Sequence, residues 1–339
     1  MATIRDVARH AGVAISTASA ALNRSAPVSA DVIAKVEAAV RELGYIPHGA
    51  AQSLRSGQSR LIGLIVPSIT NPHFAAVARI IENVCLNAGY LSMVFSTGQD
   101  SERENQILRL LRQQRVAGLI IIPTRSDAEH GERLKGEIHV PTVLLDMYVE
   151  GLAYNVVKLD NIAATRMATE HLIGLGHRRI AVLTGIAELA TSKDRLAGYL
   201  DAHRRAGLAV EPGLLLKGDY DQALAATSVA AAMRSPDPPT ALLSISNMMT
   251  LGALHALHDL GLAAPRDLSI VGIDDFDFAE LLAPPLTVVR VPLAPMAERA
   301  IEIMLDLIAG RRRASSETDL FVPELVIRGS TARAPTMQS

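Results

Sequence analysis

The chain has 339 residues, 49% of them apolar, which is too long for one ordinary core and predicts two or three domains. Its net charge of -2 hides a split: seven Lys and Arg meet four Asp and Glu in residues 1–60, against 26 and 31 beyond, so the basic excess is N-terminal. A single cysteine excludes an intrachain disulfide, and the opening "MATIRDVARH" has no apolar signal core; a cytoplasmic protein is expected, with Cys85 as core filler rather than nucleophile. Apolar runs such as "LIGLIVP" stop at Pro or polar residues well short of a membrane span, so no membrane partner is expected.

In chain order, residues 3–45 read as three short helices. Thr3 caps the first with Asp6 as capping-box partner, and Ile4, Val7, Ala8 and Ala11 recur on one face until Gly12 stops the helix. The second, Ile15 to Asn23, buries Ala18, Ala21 and Leu22 and leaves Ile15, Ser16, Ser19 and Ala20 outward. The third runs from a Ser29 cap through Val32, Val36, Val40 and Leu43 to Gly44. Two short helices joined through a glycine, with tiny residues where they cross, fit a helix-turn-helix. A helical dimerisation cap fits the local pattern too.

From Leu61 onward apolar strands alternate with amphipathic helices. The strands are "LIGLIVPS", "LSMVFST", "GLIIIPT", "PTVLLD", "NVVKLD", "RIAVLTG", "LLLKGD", "ALLSIS", "LSIVGID" and "LTVVRVP", and the helices include 73–88, 102–115, 162–175, 193–206 and 248–260. Continuous apolar strands between helices mean parallel sheets covered on both faces. Ten strands are too many for one small sheet, so the α/β body is expected to form two doubly wound parallel-sheet subdomains facing a cleft, with ligands beyond the carboxyl ends of the strands.

A search for chemistry finds no nucleophile elbow, zinc helix, phosphate-binding loop or paired metal ligands, so no catalytic residue, metal or cofactor is expected and the protein reads as a non-enzyme. Gly174-Leu175-Gly176 closes a helix instead of following a strand, which makes it a helix C-cap rather than a dinucleotide loop. Polar residues do stand at strand ends: Asp146, Asp160, Asn247, and Asp274 with Asp275. As a set they suit a hydroxyl-rich ligand. Singly each Asp also reads as a helix N-cap, and for Asp160 and Asp275 the N-cap reading weighs at least as much as the ligand reading.

The segments "TIRDVARHAGVAISTASAALN", "VEAAVRELGYIPHGAAQSLRSGQS", "IGLIVPSITNPHF", "HLIGLGHRRIAVLTG", "RLAGY", "GALHALHDLGLAAPRDLSIVGIDD", "PPLTVVRVP" and "LVIRGST", in this order, resemble the lactose-repressor (LacI/GalR) family of bacterial transcription regulators over nearly the whole length. The resemblance implies an all-α helix-turn-helix headpiece at 1–47, a hinge helix and linker at 48–60, and a periplasmic-binding-protein-like sensor and dimerisation body at 61–335. Within the body it implies an N-subdomain of about 61–160 and 292–320 and a C-subdomain of about 161–291 and 321–335. It also implies a homodimer on a palindromic double-stranded DNA operator, controlled by a small-molecule effector.

By resemblance, Ile15 and Ser16 take the first base-reading positions, Thr17, Ser19 and Asn23 face the DNA backbone, Tyr45 meets a phosphate, and Ala51 and Leu54 are the hinge residues. An apolar hinge wedge is physically sensible, because it can unstack a base step and kink the duplex. The family's base-reading arginine position holds Ala20 and its helix-capping serine position holds Ala14. Loss of the cap costs about 1 kcal/mol of helix stability. Loss of the arginine removes roughly 1–3 kcal/mol of guanine discrimination, which shifts readout to Ile15 or Ala20 against thymine methyls; a degraded binder is the alternative. Residues 50–56, small and polar, are expected to fold only on DNA.

The resemblance places His73, Phe74, Asp146, Arg195, Tyr220, Asn247 and Asp274 in the effector pocket. Core packing is the other reading of Phe74 and Tyr220, and an ion pair with Asp194 or Asp201 the other reading of Arg195. Met248 stands where an acidic residue is common and Val291 where some sugar binders are polar. With no Trp and five Phe, the expected effector is a small hydroxylated molecule, a monosaccharide or sugar acid. The tail "ARAPTMQS" has no heptads, so a dimer without a tetramer-forming coiled coil is expected. A stand-alone solute-binding protein, or a regulator governed by a protein co-repressor, are the competing readings.

Overall fold

The structure, a computed structural model, describes residues 2–23, 26–45, 59–276 and 278–335, and of Asn23 the backbone alone. It divides into two compact units, Met1–Ser59 and Arg60–Ser339. The hinge positions Ala51 and Leu54, and the segment 50–56 expected to fold on DNA, lie outside the described residues.

In the first unit, α1 (Ile4–His10), α2 (Ile15–Asn23) and α3 (Ala30–Leu43) enclose a core of Val7, Ala8, Ala18, Ala21, Val36 and Ala39. The small residues let the helices approach closely. The capping box forms: Thr3 Oγ1 accepts from the Asp6 amide at 3.4 Å, and Asp6 Oδ2 accepts from the Thr3 amide at 2.9 Å. Gly44 ends α3 with φ of 57°, a backbone that other residues adopt only at a cost. Ser29 holds the N-cap position of α3, but its side chain makes no capping hydrogen bond.

One expectation for α2 fails. Ile15 and Ser16 are exposed, but Ser19 is 8% exposed and Ala20 half-buried. At about 100° per residue Ser19 lies only about 60° round the helix from Leu22, at the edge of the inward arc rather than opposite it.

The second unit has two lobes, each a six-stranded sheet. In the first lobe the order is β11-β5-β4-β3-β1-β2, comprising β1 (Leu61–Val66), β2 (Leu91–Ser96), β3 (Gly118–Ile121), β4 (Thr142–Leu145), β5 (Asn155–Leu159) and β11 (Thr318–Phe321), all parallel. Register is fixed by pairs such as Leu64↔Val94 and Ile65↔Ile121. In the second lobe β12-β10-β9-β8-β6-β7 comprises β6 (Ile180–Thr184), β7 (Leu215–Lys217), β8 (Ala241–Ser244), β9 (Ser269–Ile273), β10 (Thr287–Arg290) and β12 (Glu324–Val326), parallel except that β12 runs against β10. Helices α4 (Pro72–Asn87), α5 (Ser101–Gln113), α6 (Ala128–Glu137) and α11 (Leu293–Ile308) serve the first sheet. Helices α7 (Asn161–Gly174), α8 (Ala190–Arg205), α9 (Gln222–Met233) and α10 (Asn247–Asp259) serve the second.

The ten apolar segments all become strands. The two further strands, "TDLF" and "ELV", have no continuous apolar run because they lie on sheet edges and are half exposed. Helix α7 closes as expected, with Gly176 at φ of 93°. Cys85 is wholly buried, and burial pushes its thiol up to about 11, which keeps it inert. The start of the tail is pinned through His177, whose Nε2 meets the Ala332 carbonyl at 3.0 Å. Among the described residues no helix is long and apolar enough to cross a membrane, and no cluster of three or more His, Cys, Asp and Glu could hold a metal.

Candidate functional site

Each sheet reverses its winding at one strand: β1 lies between β2 and β3, and β6 between β7 and β8. The loops leaving such strands diverge and open a crevice at the carboxyl ends. Here the two crevices face each other around a cavity of about 220 Å³. Six of the seven candidate ligand residues line it: His73 and Phe74 from α4, Asp146 after β4, Arg195 from α8, Tyr220 after β7 and Asp274 after β9. Asn247 is buried but is not part of the wall; its Nδ2 donates to Asn71 Oδ1 at 2.8 Å. Sequence reading takes Asn247 as a ligand contact because it ends a strand, whereas the facing lobe claims its amide.

Three wall residues have left-handed backbones, Asp146 at φ of 73°, Tyr220 at 60° and Asp274 at 76°. Non-glycine residues occupy that region at a cost of order 1 kcal/mol or more, and such strain gathers where side chains must be aimed. Tyr220 is held further by its hydroxyl, 2.9 Å from Ser192 Oγ, and its ring rests on Gly185, where an added Cβ would lie 2.6 Å from the ring. Only glycine leaves room for the ring there.

Arg195 is 5% exposed. Its Nε donates to Asn161 Oδ1 at 2.7 Å and its Nη1 to the Ile245 carbonyl at 2.6 Å, which fixes the guanidinium plane. The ion pairs that sequence allowed for it do not form: Asp194 meets Lys158 at 2.8 Å, and Asp201 meets Arg166, Arg204 and Arg205. Burial opposes the charge on Arg195, but Tyr220, Asp274 and Asp146 around it more than compensate and raise its pKa.

His73 Nδ1 lies 3.0 Å from Asp274 Oδ1, joining the lobes by an ion pair whose geometry is off hydrogen-bond alignment. Burial works against the His73 charge, and the Asp274 carboxylate reverses this, so the imidazole titrates above its ordinary value. Asp274 is shifted below the usual carboxylate range, burial being outweighed by His73 and Arg195. The cavity therefore sets two carboxylates, one imidazole and one guanidinium beside an apolar wall of Ile122, Pro123, Met147, Leu189 and Met248. Val291 is buried outside it.

Sequence reading misses Asn71, whose Oδ1 caps α4 through the His73 amide at 3.0 Å while receiving Asn247, and Asn161, which orients Arg195. Asn71 immediately before Pro72 is an N-cap signal, but nothing local announces a partner 176 residues away. Asp160 caps α7 through the Ala163 amide at 2.9 Å, whereas Asp275 neither caps a helix nor enters the cavity; it binds Arg290 and Arg328 at 2.9 and 3.0 Å. Among the candidate DNA residues, Ile15 is 44% exposed, Ser16 is exposed, Thr17 and Ala20 are half-buried, and Tyr45 packs against the headpiece core. Ser19 is buried, and the side chain of Asn23 lies outside the described residues.

Residues 3–48 match the model of bacterial regulatory proteins of the lacI family, and residues 169–331 match a periplasmic binding protein-like domain. The chain is 33% identical over 330 residues to the ribose operon repressor of Escherichia coli (strain K12), covering 97% of this chain and 100% of that one. It is 32% identical to the HTH-type transcriptional repressor PurR of Photobacterium profundum, covering 97% and 98%. Its fold superposes on the crystal structure of the Lac repressor dimer bound to operator and the anti-inducer ONPF with a TM-score of 0.87 and 29% identity, covering 98% of this chain and 99% of that one.

Proposed function

As the chain belongs to the lacI family of bacterial regulatory proteins, and is thereby a ligand-responsive DNA-binding repressor acting as a dimer on an operator, we propose that its effector is a small, polyhydroxylated molecule of monosaccharide size. The observation that carries this is the fixed Arg195 fork set among Asp146, Asp274 and His73 in a cavity of about 220 Å³. Carboxylates accept from sugar hydroxyls, the guanidinium donates to ring or carboxylate oxygens, and Phe74 and Tyr220 offer faces to C–H groups. A dianionic phosphate ester meets two carboxylates here and is disfavoured; a neutral sugar or a singly charged sugar acid is not. The names of the ribose operon repressor and of a cellobiose complex of the regulator CelR agree with a carbohydrate effector. A thermal-shift panel tests it: sugars or sugar acids raise the melting temperature, and stabilisation by nucleobases with none by sugars overturns the reading.

The protein acts without catalysis, in the cytoplasm, and couples the cavity to DNA by linkage, so effector and operator change each other's affinity by the same factor. Ile15, Ser16 and Ala20 read bases, with Thr17, Asn23 and Tyr45 on the DNA backbone and Ala51 and Leu54 at the hinge; Ser19, being buried, is left out of the contact set. The uncharged face of α2 makes methyl contacts the main direct readout. Selection from random duplexes is expected to return a palindrome with a flexible central pyrimidine–purine step, at which Leu54→Ala sharply weakens binding. Recovery of no preferred sequence overturns this part.

A further inference from the structure

All six strands of the first lobe are parallel, so all begin at one end, and α4, α5, α6 and α11 each run back to end there. The opposite end, where the strands finish, is the cavity side and carries Asp100, Asp127, Asp146 and Asp160. The starting end is basic. Arg60 immediately precedes β1, Arg112 is in the last turn of α5, Arg115 precedes β3, and Arg313 lies between α11 and β11. All four are exposed, and none has a carboxylate within ion-pair distance among the described residues. The acidic groups at this end are already taken: Glu137 by Arg109, Asp306 by Arg311 and Glu317 by Arg312.

We propose that this end of the first lobe is a phosphate-binding surface, an electrostatic contact to DNA additional to the base-reading headpiece. Two observations separate it from ordinary helix-end chemistry. The helix dipole attracts cations only within its last turn, which accounts for Arg112 but not for Arg60, at a strand start, or Arg313, five residues past the end of α11. The body also carries a net negative charge beyond residue 60, so four exposed guanidinium groups without a carboxylate partner among the described residues, gathered at one end of one sheet, do not follow from its overall charge. The partner follows from connectivity: Arg60 is the first residue after the unit Met1–Ser59, so the chain leaving the DNA-binding unit enters the body at this end. With four inter-strand steps of about 4.8 Å between β1 and β11, the guanidinium groups spread over roughly 20 Å, enough to meet several phosphates.

This rests on the DNA-binding reading, and the experiment keeps the two apart. Full-length wild type and the triple variant Arg112→Gln, Arg115→Gln, Arg313→Gln are titrated against a selected operator duplex and an unrelated duplex of equal length between about 50 and 200 mM salt. At about 0.9 per phosphate, the variant's log–log salt slope is expected to be shallower by about 2–3 on both duplexes, with an affinity loss of about tenfold or more at the lowest salt. The Arg→Lys versions retain the slope, and Arg79→Gln, on the middle of α4, leaves it at the wild-type value. An unchanged slope on both duplexes overturns the proposal, and a lowered melting temperature with that unchanged slope assigns the arginines to helix stability alone. If wild type does not distinguish the two duplexes, the sequence-specific reading fails, while the slope on the unrelated duplex still decides the surface.

Discussion

The headpiece and the cavity solve recognition in opposite ways. Helix α2 presents Ile15, Ser16 and Ala20 with no charge in its nine residues, while the cavity gathers Arg195, His73, Asp146 and Asp274 into one wall. A base edge lies in an open, solvated groove, where a charged contact is only one of several ways to discriminate, and methyl contact and duplex deformability can replace it. An effector enclosed between lobes leaves every unmatched polar group dry, so the cavity cannot dispense with its donors and acceptors. On the proposed assignment of α2 as the base reader, the lesson is that charge can be removed from the solvated reader and not from the enclosed one.

The sharpest way to break this contrast is Arg195→Met. It leaves Asn161 Oδ1 and the Ile245 carbonyl without their donor and two carboxylates unbalanced, so a stability loss of about 3 kcal/mol is expected in urea unfolding, with the effector-dependent thermal shift abolished. Retained stability together with a retained shift contradicts the enclosed-site account. In the headpiece the reverse substitution is informative. Ala20→Arg should add a bidentate guanine contact worth roughly 1–3 kcal/mol, seen as a new strongly preferred G in duplex selection, with the fold intact because Ala20 is half-buried at the rim of α2.

The His73–Asp274 bridge sharpens the comparison through pH. His73 is raised, so its contribution is complete below its ordinary value of 6.5 and disappears as pH climbs through the elevated value. Asp274 is lowered, so its contribution is complete above its ordinary 3.8 and disappears as pH falls through the depressed value. The inter-lobe pair is therefore strongest between about pH 4 and 6.5 and weakens on the alkaline side first. Melting temperature followed across pH 5 to about 9 should fall less in His73→Asn than in wild type; parallel curves would remove the pair from the account. The smallest effect belongs to Thr3→Ala, which breaks the capping box and should cost about 1 kcal/mol, detected as faster amide exchange in α1 with the body unchanged.

Much of this was legible locally. Alternating apolar segments mark ten strands because a parallel sheet is buried on both faces, and the strand-end residues Asp146 and Asp274 do reach the cavity. Edge strands β11 and β12 escaped because half-exposed strands carry no such run. Ser19 was misplaced because a nine-residue helix has too little length for a 60° error in its face to show in the pattern. Asp275 reads like its neighbour Asp274, yet the left-handed backbone at Asp274 aims one side chain at the cavity and leaves the next for Arg290 and Arg328.

The order of residues alone determined ten of the twelve described strands, their winding and the end of each sheet at which ligands bind, since those follow from hydrophobic period and from chirality rules acting over a few tens of residues. Only the tertiary structure decided which strand-end groups face one another. Asn247 with Asn71, His73 with Asp274 and Lys158 with Asp194 are partners because two lobes, connected by three chain crossings, close on each other. Such contacts depend on where separate sheets meet in space, and no local period encodes that.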